Sequence, residues 1–331
     1  MIGPMRLTPC VPRWLIMELI KEMQIDEEIA ACIGFIGVNS EHGFIADGTC
    51  FFVQFPEETE AFLYMVTARH LVRPMRFGKE TEPLDGIVSV RLSRKTKPPL
   101  VLQTRREEWI CHPNRFVDLC VRPFDHWQLN PDGDLFLASV ELVGEKSLVL
   151  TPERWERVGK ISLGDEIFIP SLFPGHVGER RNIPAFRFGN IAAPPLEPVR
   201  VGSPAVPAFL IETRSLGGTS GAPVFLHFKP ELPRDAPRFF ADGPGGRIVP
   251  FALIGMVLGA HSGKYASDFV TTDAEENLIS TDAEFNAGLS VVLPIEHVVE
   301  LIQSDEFRSA RLVTLDAIKK QSGFRHTTNE V

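Results

Sequence analysis

Along most of the chain, apolar residues come in short runs broken by turn residues, which predicts strands rather than long helices. A first series of runs covers 32–38, 49–54, 62–67, 87–92, 109–113 and 117–121. After a polar stretch at 125–134 a second series follows at 135–142, 147–150, 166–170, 185–191, 208–213, 223–228, 248–258 and 288–293. Two successive all-β units are therefore expected. Helical spacing appears only at the ends. Trp14, Leu15, Glu18, Leu19, Glu22 and Met23 follow Pro12, and Ile295, Val298, Val299, Leu301 and Ile302 follow Pro294. The Pro-rich stretch 192–207 predicts an extended surface loop, because proline lacks the amide that helices and central strands need.

These breaks divide the chain into an N-terminal helical extension (1–28), a first β-unit (29–130), a second β-unit (131–305) and a C-terminal tail (306–331), polar and mobile from 321. Two long inserted loops, 229–246 and 261–286, interrupt the second unit. Loops of that length inside a compact domain are usually functional or disordered.

With 331 residues, 44% of them hydrophobic and 23% charged, the chain has the composition of a folded globular protein with a sizeable core. A net charge of −9 argues against phosphate backbones or anionic membranes as main partners, so neither nucleic acid nor membrane is expected. The apolar run 249–260 is too short to span a bilayer. Cys10, Cys32, Cys50, Cys111 and Cys120 are odd in number and form no CxxC pair, so reduced, mostly buried thiols and a cytoplasmic location are expected. Cys111, His112, Cys120 and His126 cluster in sequence, but their spacing fits no common metal motif; no metal or cofactor is expected.

The candidate chemistry lies in three places. Gly217, Gly218, Thr219, Ser220, Gly221, Ala222 and Pro223 form a glycine-flanked serine turn ahead of an apolar strand. Glycines there let peptide N–H groups converge beside the serine oxygen as an oxyanion hole. The apolar run 62–67 is followed by His70, placed to reach across a cleft. Asp118 sits between Val117 and Leu119, where a buried carboxylate needs a partner such as an imidazole N–H. Asp125, Asp132 and Asp134 lie nearby but lack those apolar flanks. The bland reading of Ser220 is a turn serine bonded to backbone, and of His70 a core histidine.

Five segments taken in order, Gly-Thr-Cys-Phe-Phe-Val (48–53), Val-Thr-Ala-Arg-His (66–70), Val-Asp-Leu-Cys-Val (117–121), Gly-Gly-Thr-Ser-Gly-Ala-Pro-Val (217–224) and Leu-Ile-Gly-Met-Val (253–257), resemble the successive blocks of a trypsin-like serine peptidase of the bacterial, disulfide-poor type. The resemblance spans roughly residues 30–302 and implies two six-stranded antiparallel β-barrels with a cleft between them. It implies Ser220 as nucleophile, His70 as general base, Asp118 as its orienting acid, and the amides of Gly218 and Ser220 as the oxyanion hole. Thr219 stands where many members carry an activation aspartate, which implies a site formed without zymogen cleavage.

Arg214 stands where trypsin-type members place an acid, so cleavage after basic residues is not expected. Leu258, Gly259 and Ala260 would wall the substrate pocket. Arg214 with His261 would suit an acidic side chain, while a shallow apolar pocket is equally open. The implied partner is a polypeptide substrate, with a regulatory partner possible through the N-terminal helix or the long loops. The competing reading is a trypsin-fold scaffold that binds without turnover, or turns over only when a partner opens it. An esterase of the α/β-hydrolase kind is disfavoured by the order His, Asp, Ser.

Overall fold

The computed structural model describes residues 27–73, 75–76, 79–80, 86–144, 147–150, 161–199, 206–213, 217–227, 251–263, 271–272, 278–279 and 285–327. The expected N-terminal helix and the loop 229–246 lie outside these residues. The described chain opens on a 3-10 turn, Glu27–Cys32, that leads directly into the first strand.

The first unit is a sheet of eight strands. They are β1 (Ile33–Ser40), β2 (Gly43–Glu57), β3 (Glu60–Thr67), β4 (Ile87–Leu92), β5 (Leu100–Arg105), β6 (Ile110–Cys111), β7 (Cys120–Pro123) and β8 (Val140–Glu141). Their order is β5-β4-β1-β2-β3-β7-β6, with β8 added parallel to β2. The segments 135–142 and 147–150, expected to be full strands, contribute only β8 and the isolated bridges Arg94↔Leu135 and Val149↔Leu253.

The second unit closes completely. Its strands are β9 (Glu166–Ser171), β10 (Ala185–Ala193), β11 (Phe209–Thr213), β12 (Pro223–His227), β13 (Phe251–Gly263) and β14 (Phe285–Pro294). They run β9-β10-β11-β14-β13-β12 and return to β9 through Ile167↔Leu226. The architecture is the two-barrel, chymotrypsin-like fold, with the difference that the ladder of the first barrel remains open among the described residues.

Side-chain alternation explains why these strands look uniformly apolar in sequence. Along β2, Cys50 and Phe52 face the interior of the first unit, whereas Phe51, Val53 and Phe55 face a second core. Along β12, Val224 and Leu226 fill the closed barrel while Phe225 turns to that same second core. Val292 and its neighbours Val291 and Leu293 repeat the pattern on β14. Both faces of the key strands are therefore covered, and polar alternation disappears. The shared core packs the two units against each other.

Among the described residues, four α-helices complete the fold: α1 (Arg69–Val72), α2 (His126–Leu129), α3 (Glu296–Gln303) and α4 (Asp305–Thr327). The C-terminal segment expected to be a polar tail is instead helical as far as Thr327. Phe307, Arg311 and Leu315, four residues apart, bury one face of α4. Arg311 donates to Glu57 at 2.5 Å, to the Tyr64 hydroxyl at 3.2 Å and to Ile302 O at 2.7 Å, which locks α4 onto the β2–β3 hairpin. Among the described residues, no helix is long and apolar enough to cross a membrane.

Candidate active site

β3 ends at Thr67, and the chain passes through extended Ala68 into the single turn α1, which carries His70. Asp118 holds this histidine at two points. Its Oδ1 accepts the His70 backbone N–H at 2.9 Å, and its Oδ2 lies 2.6 Å from the ring Nδ1. Burial alone would lower the imidazole pKa, but the Asp118 hydrogen bond, the Asp118 charge and the Asp47 charge outweigh it and raise the pKa above its ordinary value.

Asp118 sits in the connection between β6 and β7. Val117 and Leu119, both buried, anchor the backbone on either side of it. The backbone bond from His112 N–H to Leu119 O, 2.9 Å, closes the base of the connection. Cys111 and Cys120, paired across β6 and β7 with Cα atoms 4.0 Å apart, are joined by a disulfide there. This corrects the expectation of reduced thiols, and the cysteine count no longer argues for a reducing compartment. Their separation in sequence hides the fact that they are cross-strand neighbours. Cys32 and Cys50 are free and buried, and burial pushes both thiols up to about 12.

Ser220 lies in a tight turn whose glycines adopt left-handed backbone, φ +91° at Gly218 and +78° at Gly221. A Cβ on Gly221 would fall 2.1 Å from Thr49 O and 2.5 Å from Thr67 Oγ1, so only glycine fits. The turn is thereby pressed against Ala68, two residues before His70. Thr49 ties the parts together. Its N–H donates to Ser220 O at 2.9 Å, and its hydroxyl donates to Gly218 O and accepts from Leu172 N–H, each at 2.9 Å. Among the described residues, neither the Gly218 nor the Ser220 amide donates to a backbone carbonyl.

The Ser220 hydroxyl donates to Leu258 O at 3.3 Å and makes no hydrogen bond to His70 among the described residues. Leu258 is free to accept because the β13–β14 register shifts between Val257 and Gly259, leaving its carbonyl outside the ladder. Gly259 follows, with open space where a Cβ would stand. Ala260 and His261 lie on β13 with side chains outside the described residues, and Arg214 is wholly outside them, so the pocket reading built on these residues stays an expectation. Sequence reasoning missed Thr49 and Leu172, whose roles depend on contacts across more than a hundred residues; the Thr following Gly48 carries no local signal of them.

The fold is that of the two-barrel, chymotrypsin-like class. No family model matches the chain, and no curated protein does. Among solved structures, it is similar to the MamO protease domain from Magnetospirillum magneticum at 12% identity and a TM-score of 0.42, covering 84% of this chain and 98% of that one. It is also similar to the Rv3671c protease from M. tuberculosis in its active form, at 13% identity and a TM-score of 0.39, covering 91% of this chain and 92% of that one.

Proposed function

We propose that the protein is a serine endopeptidase acting on polypeptides through Ser220, His70 and Asp118. The observation that carries the reading is the double grip of Asp118 on His70, 2.9 Å to the backbone and 2.6 Å to the ring, beside a glycine-shaped serine turn. Asp118 sets the tautomer: with Nδ1–H directed at the carboxylate, Nε2 carries the lone pair that a general base needs. Ser220 then attacks the scissile carbonyl as Nε2 takes its proton, and the oxyanion forms beside the Gly218 and Ser220 amides. His70 returns the proton to the leaving amine. Water repeats the cycle on the acyl-enzyme.

One observation favours a gated form of this enzyme, the second reading. At rest the Ser220 hydroxyl is bonded to Leu258 O, so turnover requires it to rotate toward His70. Labelling with a fluorophosphonate, with Ser220→Ala and His70→Ala proteins as controls and intact mass as readout, tests both. Labelling that requires both residues supports the enzyme. Labelling only after peptide or protein partners are added supports the gated form, and none under either condition supports the scaffold.

A further inference from the structure

A cluster on the α3 side of the acid loop plays no part in this chemistry. His112, at the start of that loop, is only 6% exposed, and its Nε2 is buried without a hydrogen-bond partner. That atom faces Glu300 of α3, with Nε2 to Oε2 at 3.8 Å. His297, three residues earlier on the same helix face, brings a second buried and unpartnered nitrogen, Nδ1, to 3.6 Å from the same oxygen. The two rings meet edge to face with centroids 5.5 Å apart, and the three ligand atoms all lie within 4.8 Å of one another.

The two nitrogen-to-carboxylate separations, 3.8 and 3.6 Å, are too long for hydrogen bonds yet close to the edge of a coordination tetrahedron, while the two nitrogens, within 4.8 Å, have to draw together for both to bind. A metal about 2.0–2.1 Å from each nitrogen and oxygen places its ligands about 3.3 Å apart. Glu300 is 69% exposed and free to rotate into that distance. We propose that His112 Nε2, His297 Nδ1 and the Glu300 carboxylate form a site for a divalent transition metal of the zinc type, with a fourth position left for water. Two imidazoles and one carboxylate suit such an ion better than calcium or magnesium, which prefer all-oxygen shells.

His112 Nδ1 accepts the Asn114 backbone N–H at 3.2 Å, which leaves Nε2 as the nitrogen presented to the cluster. A metal on Nε2 places the ring proton on Nδ1, so binding costs this bond and the Asn114 amide, in an exposed turn, passes to water. The site would staple the loop holding Asp118 to the helix that follows the second barrel, and it revises the expectation that no metal is bound.

The test is titration of the metal-stripped full-length protein with Co²⁺ and then Zn²⁺. The expected result is one Co²⁺ per chain with the strong visible absorption of a four-coordinate ion, displaced by one Zn²⁺. The melting temperature should rise by about 5 °C at a hundredfold excess of Zn²⁺ over its Kd. Glu300→Gln, at an exposed position, and His297→Ala should each weaken binding by about tenfold or more, with far-UV circular dichroism confirming the fold. Absence of saturable binding, a pale six-coordinate cobalt spectrum, or variants that bind as tightly as the parent would overturn the proposal. Ser220→Ala should bind the metal unchanged, which keeps this test separate from that of the peptidase reading.

Discussion

Thr49→Val is the sharpest probe of how the site is built. Valine matches threonine in shape and keeps both Thr49 backbone bonds, so the change removes one oxygen and little else. That oxygen is buried and serves two partners, Leu172 N–H and Gly218 O, each at 2.9 Å. Leu172 is itself fully buried, so no water replaces its lost acceptor. An unsatisfied buried group costs about 1–3 kcal/mol, and the added methyl returns about 0.8 kcal/mol. The net expectation is a loss of about 2–4 kcal/mol, less than the sum of two full penalties because the Gly218 carbonyl is only partly buried. Urea denaturation monitored by tryptophan fluorescence measures this. The same oxygen anchors the Gly218–Thr219 peptide, directly next to the peptide that presents the Gly218 amide, so fluorophosphonate labelling of Ser220 should slow by up to about a hundredfold, the effect of losing one oxyanion donor. Thr49→Ser, which keeps the hydroxyl, should label at nearly the parent rate. A valine variant within about 0.5 kcal/mol of the parent that labels at an unchanged rate would refute the reasoning, since ordinary surface changes fall in that range.

Because Asp118 and Asp47 raise the His70 pKa, the acid limb of the pH–activity profile should lie above the ordinary histidine value, and Asp118→Asn should move it down while lowering kcat by orders of magnitude. The linked stability has the opposite sign: a raised folded-state pKa contributes stability below the unfolded pKa and loses it as pH rises through the folded one, so denaturation midpoints measured across that window should fall as activity rises. Gly221→Ala should destabilise by about 3 kcal/mol or more, from positive φ and a Cβ 2.1 Å from Thr49 O, and a variant with a near-normal denaturation midpoint would contradict the packing described. Arg311→Met should cost about 3–5 kcal/mol by stranding Glu57, read from the melting curve; a loss under 1 kcal/mol, the scale of an exposed pair, would mean that α4 is not locked to the hairpin. Reduction of Cys111–Cys120, or Cys120→Ser, should lower stability by about 2–3 kcal/mol, the loop-closure entropy of so short a ring, checked by melting with and without reductant.

The sequence alone determined the local pieces, because these are settled by neighbours in the chain. Short apolar runs between turn residues set the strands, the glycines around Ser220 set a turn that only they can adopt, and the apolar flanks of Asp118 marked it out from Asp125, Asp132 and Asp134. The apolar residues of α3 were readable, whereas the single buried face of α4, resting on Phe307, Arg311 and Leu315, was hidden among polar residues and became visible only through its contact with Glu57 and Tyr64. Everything that depends on distant segments meeting was left to the tertiary structure. It decided that Cys111 and Cys120 pair, that Thr49 joins the serine turn to Leu172, that the Ser220 hydroxyl rests on a carbonyl freed by a bulge, and that His112 faces His297 and Glu300. The reason is physical. Backbone propensity and hydrophobic period act over a few residues, whereas hydrogen-bond partners and ligand sets are chosen by packing in three dimensions, where the shared core between the two barrels brings together residues far apart in the chain.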